Sequence, residues 1–277
     1  MEFYSRTSTL TRYLTLSVGA IIMVTPFIYM ISTSFKTQSY VLSFPPQFIP
    51  HPATLDNYTH ALSTQNFKLF FLNSLIVASI ATAISVLLSS MMAYAFAQFR
   101  FLGRELIFRG LLLGLVIPAT MLLIPQFILA KNLGLLDSLQ GLVFFYIATT
   151  LALNTFLLRG FFSSIPPELD QAMQVDGANA WTRYWRLALP LSKPAIATST
   201  IFTFLACWDE FSLALTLISK PNRMTLPLAI ASFQGENSTQ WGLVFAASLI
   251  AVVPVIIVFL VFQRYFVQGL TSGAVKG

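Results

Sequence analysis

Long apolar runs separated by short polar connections set the pattern of this chain. Six runs, at about residues 13–34, 70–97, 106–128, 140–161, 194–218 and 241–262, each reach the roughly 20 residues an α-helix needs to cross a bilayer. They predict an all-α membrane protein of six transmembrane helices, forming a single domain over residues 1–277. The first run follows Arg6 and Arg12, as a secretory leader would. It is longer than a leader's apolar core, has no small-residue cleavage site after it and precedes five more runs, so it is expected to be retained.

Between the fourth and fifth runs the period changes. Over 165–190, Pro166 and Pro167 can open a helix whose first N–H groups lack partners in any case, and Glu168 and Asp170 place negative charge at its positive end. Gly177 can take the left-handed conformation that ends it, and Asn179 can cap a second helix. Leu169, Ala172 and Met173 share a face of the first helix. In the second, Trp181, Tyr184, Trp185 and Ala188 recur at i, i+3, i+4 and i+7, with Arg183 and Arg186 expected to point elsewhere. Such a stripe is buried either at a membrane surface, with arginines toward lipid phosphate, or against protein.

Composition agrees with a membrane assignment: 56% of residues are hydrophobic and 9% charged, against about a quarter charged in a soluble domain. Of the 16 Lys and Arg, eleven fall on the side of both termini, the second loop and the fourth loop, which predicts that both termini are cytoplasmic. The net charge of +6 then reports topology and lipid headgroups, since no basic stripe with interleaved aromatics suggests nucleic acid. The single cysteine, Cys207, excludes an intrachain disulfide, and His51 and His60 have no neighbouring ligand cluster for a metal. The terminal "GLTSGAVKG" has Ala274 where a phosphate loop needs its second glycine, and hydrolase constellations are missing. No catalytic residue and no cofactor is expected in this chain, and an embedded enzyme is the weakest reading.

Two acids fall inside the fifth run. Asp209 and Glu210 should face protein or water, because a charge at the centre of a span costs at least about 2.5–3.5 kcal/mol. On a continuous helix Asp209, Ser212 and Thr216 would form a polar stripe beside Trp208, either the wall of a substrate pathway or an interhelical bonding face. Pro26, Pro118, Pro125 and Pro254 mark candidate kinks.

The polar segment carries a more specific signal. Gln171, Ala172 and Met173, then Gly177, then Leu187, Leu189 and Pro190 stand at the spacing of the EAA motif, E-A-A-x3-G-x9-I-x-L-P, and so resemble the permease subunits of binding-protein-dependent ABC importers. "NSLIVAS", "MMAYAFAQFRFLGRELIF", "IPATMLLIP", "WDEF" and "QRYFVQGLTSGAVKG" look closest to the maltose-permease-like, carbohydrate-importing branch. The family's glutamate is Gln171 and its second alanine is Met173, which leaves Asp170 to supply the charge.

The resemblance implies a non-catalytic subunit that forms a pathway for a carbohydrate or related polyol with a second homologous permease, in a bacterial or archaeal cytoplasmic membrane. Two ATPase subunits carrying ATP and Mg would drive it, and an extracytoplasmic solute-binding protein would deliver the substrate. The segment 165–190 is then the coupling helix, with Asp170, Gln171, Ala172, Met173, Asp176, Gly177, Ala178, Leu187 and Pro190 facing the ATPase. Trp208, Asp209, Glu210, Ser212 and Thr216 would line the pathway, and Gly269, Thr271, Gly273 and Lys276 of the tail would reach the ATPase. The rival reading is a proton-coupled secondary transporter with Asp209 or Glu210 as relay, although the two internally similar halves usual in such folds are not evident.

Overall fold

The computed structural model describes residues 2–41, 43–45, 47–63, 66–235 and 239–274. These residues are largely helical. In chain order the helices are α1 (Glu2–Ser34), α2 (Gln38–Val41), α3 (Asp56–Ser63), α4 (Phe67–Gln98), α5 (Arg104–Leu113), α6 (Leu123–Asn132), α7 (Leu139–Ser163), α8 (Pro167–Val175), α9 (Ala180–Arg183), α10 (Leu189–Leu191), α11 (Lys193–Trp208), α12 (Ser212–Leu217), α13 (Leu226–Ser232) and α14 (Trp241–Ala274). Among the described residues, four continuous stretches are long and apolar enough to cross a membrane: Thr9–Ser34, Phe67–Gln98, Leu139–Ser163 and Trp241–Arg264. The protein is an all-α membrane protein.

The third and fifth apolar runs are not single helices. In the third, α5 gives way near Gly114, a 3-10 turn spans Ala119–Leu122, and α6 resumes at Leu123. Pro118 disfavours the helical conformation of the residue before it, so the chain turns there. In the fifth, α11 stops at Trp208 and α12 starts at Ser212. The expected stripe through Asp209, Ser212 and Thr216 on one continuous helix is therefore absent. By contrast, Pro26 and Pro254 lie inside continuous helices, and Pro125 sits in the first turn of α6, where a missing N–H costs little.

The chain divides into two compact units, 1–67 with 229–253, and 68–228 with 254–277. In the first, Asn57 donates to the carbonyls of Ser34 (2.8 Å) and Lys36 (2.7 Å). Gly242 packs on that amide so closely that a Cβ would lie 2.7 Å from Asn57 Nδ2. The buried Lys36 ammonium bonds the Gln47 carbonyl and lies 4.9 Å from the Tyr29 ring centre.

The second unit is organised by α4. Its buried positions Ser74, Val77, Ala78, Ala81, Thr82, Ser85, Ser89, Ser90 and Ala93 recur at three- and four-residue steps. Small side chains there allow neighbouring backbones to come close, which drives association where lipid removes the hydrophobic incentive. Hydroxyls and one amide cross the gaps: Ser85 Oγ bonds Thr150 Oγ1 at 2.7 Å, and Asn154 Nδ2 donates to Thr203 Oγ1 at 2.7 Å and to Ser85 Oγ at 3.3 Å. One amide on α7 thus bonds both α4 and α11. At one end, Asn73 donates to the Met224 carbonyl (2.9 Å), Ser74 accepts from Leu226 N (2.7 Å), and Asp137 accepts from the Ser219 and Lys220 amides at 2.6 and 2.9 Å. Elsewhere Arg159 holds Glu105 at 2.6 Å while its guanidinium lies 4.0 Å over the Phe108 ring.

Candidate functional site

The polar segment folds as two helices about a glycine corner. Pro166 and Pro167 open α8, and Glu168 and Asp170 occupy its first turn. The helix closes with Ala178 N–H on the Met173 carbonyl (2.9 Å) and Gly177 N–H on that of Gln174 (3.0 Å), a Schellman ending with Gly177 at φ +79°. Asn179 Oδ1 then accepts from Thr182 N at 2.8 Å and caps α9.

The second helix departs from regular phase. Over Tyr184–Ala188 it widens into a π-helical turn, with Leu189 N–H bonding back to the Tyr184 carbonyl. The cause lies one turn on: Pro190 has no N–H for the Arg186 carbonyl, and its ring would crowd that oxygen. The aromatic stripe is split between inside and outside. Tyr184 (2% exposed) and Ala188 (1%) enter a core with Ala93 and Tyr94 of α4, Leu158 and Phe162 of α7, and Ala195 of α11. Trp181 (57%) and Trp185 (45%) remain outside. Tyr184 also bonds Ser90 Oγ at 2.6 Å, and burial raises its phenol pKa.

Two sequence expectations are corrected here. Arg183 does not point away: it is buried, and its Nη1 lies 3.1 Å from Asp170 Oδ2. Asp170 in turn does not present a free charge, because the same oxygen also accepts from Gln174 Nε2 at 2.8 Å. Gln171, Ala172, Asp176, Gly177 and Pro190 are exposed, and Met173, Ala178 and Leu187 are partly so. These form the available face of the segment.

The interrupted helices border a cavity of about 700 Å³ in the second unit. Leu115, Leu122, Leu153, Leu157 and Phe202 give it apolar walls, and Thr120, Gln126, Tyr146, Thr149, Asn154, Glu210 and Ser212 bring polar groups to it. Glu210 is held at the break after α11: one carboxylate oxygen accepts from Leu213 N (2.7 Å), the other from Ala214 N (2.9 Å) and Tyr146 Oη (3.0 Å). It thus supplies acceptors at the start of α12 that a continuous helix would have supplied from its backbone.

Of the five residues expected together on a pathway wall, Glu210 and Ser212 line this cavity; Trp208, Asp209 and Thr216 lie elsewhere. Trp208 is 3% exposed, its ring 5.7 Å centre to centre from both Phe71 and Phe204. Asp209 ends α11 at the surface, and Thr216 Oγ1 bonds back to the Ser212 carbonyl. Tyr146, Thr150 and Asn154 were missed, although their four-residue spacing marks one polar line along a mostly apolar helix. In the tail, α14 carries Gly269, Thr271 and Gly273 on its last turns, while Lys276 lies outside the described residues. Among the described residues, no group of three or more His, Cys, Asp or Glu side chains could hold a metal ion.

The model of the family described as binding-protein-dependent transport system inner membrane component matches residues 85–272. The chain belongs to this family. It is a permease subunit of an ABC importer, a transport component and not an enzyme, and that membership does not favour a proton-coupled transporter. The permease is 39% identical over 270 residues to the trehalose/maltose transport system permease protein MalG of Thermococcus litoralis, covering 95% of this chain and 96% of that protein. It is 36% identical over 266 residues to the sulfoquinovosyl glycerol transport system permease protein SmoH of Agrobacterium fabrum, covering 96% and 93%. Among solved structures it resembles a chain of a bacterial ABC transporter involved in the import of the acidic polysaccharide alginate, with a TM-score of 0.81 and 25% identity over 94% of this chain and 97% of that one.

Proposed function

We propose that this permease carries a carbohydrate or related polyol across the cytoplasmic membrane of a bacterium or archaeon, paired with a second permease and driven by two ATPase subunits. The pathway follows six crossings with both termini inside, the third and fifth interrupted, and a solute-binding protein delivers the substrate from outside. The observation that carries this reading is the pair of short helices about Gly177, at the family's motif spacing and with its second member seated in the bundle core. Its exposed face, Gln171, Ala172, Asp176 and Pro190 with Met173, Ala178 and Leu187, docks on an ATPase subunit, which holds the nucleotide and Mg. Asp170 serves that face from behind. Gly269, Thr271, Gly273 and Lys276 extend the contact from the tail.

The cavity supports the substrate class. Hydroxyl and amide groups at Thr120, Gln126, Thr149, Asn154 and Ser212 suit the hydroxyls of a sugar, set among apolar walls. The relatives' names, as trehalose/maltose and sulfoquinovosyl glycerol permeases, agree with a carbohydrate or glycoside cargo. Glu210 shapes this wall, Trp208 supports it from the core, and Asp209 and Thr216 flank the break.

In reconstituted vesicles, uptake of radiolabelled di- and trisaccharides should require the binding protein and ATP and should stop when the ATPase subunits carry an inactivating substitution. Cysteine at Ser212 or Gln126, with Cys207 replaced by serine, should react with a water-soluble thiol reagent at a rate that changes when ATP hydrolysis is trapped. Uptake that survives loss of ATPase activity and collapses with the proton gradient would refute the proposal.

A further inference from the structure

Helix α8 has no buried residue, and the glycine corner that joins it to α9 has open space around it: a Cβ at Gly177 would meet nothing within 4 Å. The Schellman bonds and the Asn179 cap shape the corner's backbone, but no side chain packs against Gly177 to brace the two helices there. A side-chain tie braces them across thirteen residues. Arg183 Nη1 lies 3.1 Å from Asp170 Oδ2, with only 11% and 16% of the two side chains exposed, and Gln174 holds the carboxylate from the next turn. The residue after Arg183 is Tyr184, fixed in the core and bonded to Ser90 of α4 at 2.6 Å. A continuous line of contacts therefore runs from α8 through Asp170, Arg183 and Tyr184 into the long helix α4.

We propose that Asp170 and Arg183 form a staple that locks α8 to α9, so that displacement of α8 by the ATPase is delivered to α4 and is not absorbed by rotation at Gly177. This rests on the reading of α8 as the ATPase-docking helix. Both residues are positioning residues: their charged groups meet each other, not the partner. The sequence assigned Asp170 to an outward contact, whereas the geometry turns it inward. A buried pair suits the task, because losing one partner leaves an uncompensated charge and so disfavours every other arrangement of the two helices.

The test uses the assembled complex of both permeases, the ATPase subunits and the binding protein in lipid nanodiscs or vesicles. Asp170→Asn should leave ATPase association within about twofold but lower substrate moved per ATP by about tenfold or more. The exchange Asp170→Arg with Arg183→Asp should recover most of that ratio, which a direct contact between position 170 and the ATPase would not allow. Spin labels at Val175 and Trp181, with Cys207 replaced by serine, should report a single α8 to α9 distance in the parent and a broadened distribution in Asp170→Asn. An unchanged distance, or an unchanged transport ratio, overturns the staple; so does lost association that the exchange fails to restore. Failure of the docking reading shows separately: Ala172→Trp, on the exposed face of α8, would then leave ATPase association untouched, whatever the label distance does.

Discussion

Replacing Gly177 with alanine isolates one physical quantity, the cost of a left-handed backbone. The residue sits at φ +79°, and a Cβ there meets nothing within 4 Å, so crowding contributes nothing and the penalty is conformational. For an L-residue that penalty is about 1–2 kcal/mol. If the ATPase subunit binds only the cornered form of α8 and α9, the same energy appears in the association constant, a weakening of roughly 5- to 30-fold at about 1.4 kcal/mol per decade. Asparagine, which tolerates this region, should weaken association less than alanine does. The assay is ATPase-subunit affinity for the permease pair in nanodiscs, by interferometry at fixed salt. Alanine binding within twofold of glycine would refute the reasoning, and asparagine as weak as alanine would show that something other than φ is being measured.

Three further outcomes follow from the packing. Trp208→Ala should destabilise the purified permease by about 3–5 kcal/mol, because a buried ring against Phe71 and Phe204 is lost; a thermal transition that stays in place while sugar preference changes would make Trp208 a substrate contact. Tyr184→Phe removes the 2.6 Å bond to Ser90, whose own hydroxyl already donates to the Leu87 carbonyl, and should cost about 1 kcal/mol and lower the melting temperature measurably in a detergent scan. Asp137 is held below the usual carboxylate range by the Ser219 and Lys220 amides; with its folded pKa depressed, its hold is complete above the unfolded value of about 3.9 and lost as pH falls through the folded one. Hydrogen exchange at those two amides, corrected for intrinsic rate, should therefore be protected at pH 6 and lose that protection only as pH falls below the unfolded value, and protection that Asp137→Asn leaves unchanged at pH 6 would count against the assignment.

What the sequence revealed was what neighbouring residues decide. The prolines, acids, glycine and asparagine of 166–179 act within one turn of their own positions, and the two helices and their caps fell where those residues put them. Arg183 was misplaced because the aromatic stripe was taken as the buried face, whereas the side that enters the core carries Arg183, Tyr184 and Ala188 and leaves Trp181 and Trp185 outside. The pairing of Asp170 was out of reach for a different reason: its partner Arg183 is thirteen residues away and becomes visible only once the corner is folded. The gaps at Gly114–Pro118 and Asp209–Phe211 were hidden because apolar content over 20 residues averages across a break of a few. Glu210 drew attention as an intramembrane acid, but the amides of Leu213 and Ala214 and the Tyr146 hydroxyl account for its place at the start of a helix.

The breaks also constrain how the chain can sit in a bilayer. At about 1.5 Å per residue, α5 and α6, of ten residues each, reach roughly 15 Å apiece, and α12 reaches less, against a hydrocarbon layer of about 30 Å. Backbone left open between such pieces has no water to bond in lipid and is tolerated only where protein or a hydrated cleft receives it. In its folded, interrupted form the stretch from Arg104 to Asn132 therefore needs protein beside it, and the break around Asp209 is held by Phe71 of α4 against Trp208 and by Tyr146 of α7 on Glu210. The long helices α4 and α7 thus serve as the shelter that lets two membrane segments stay broken.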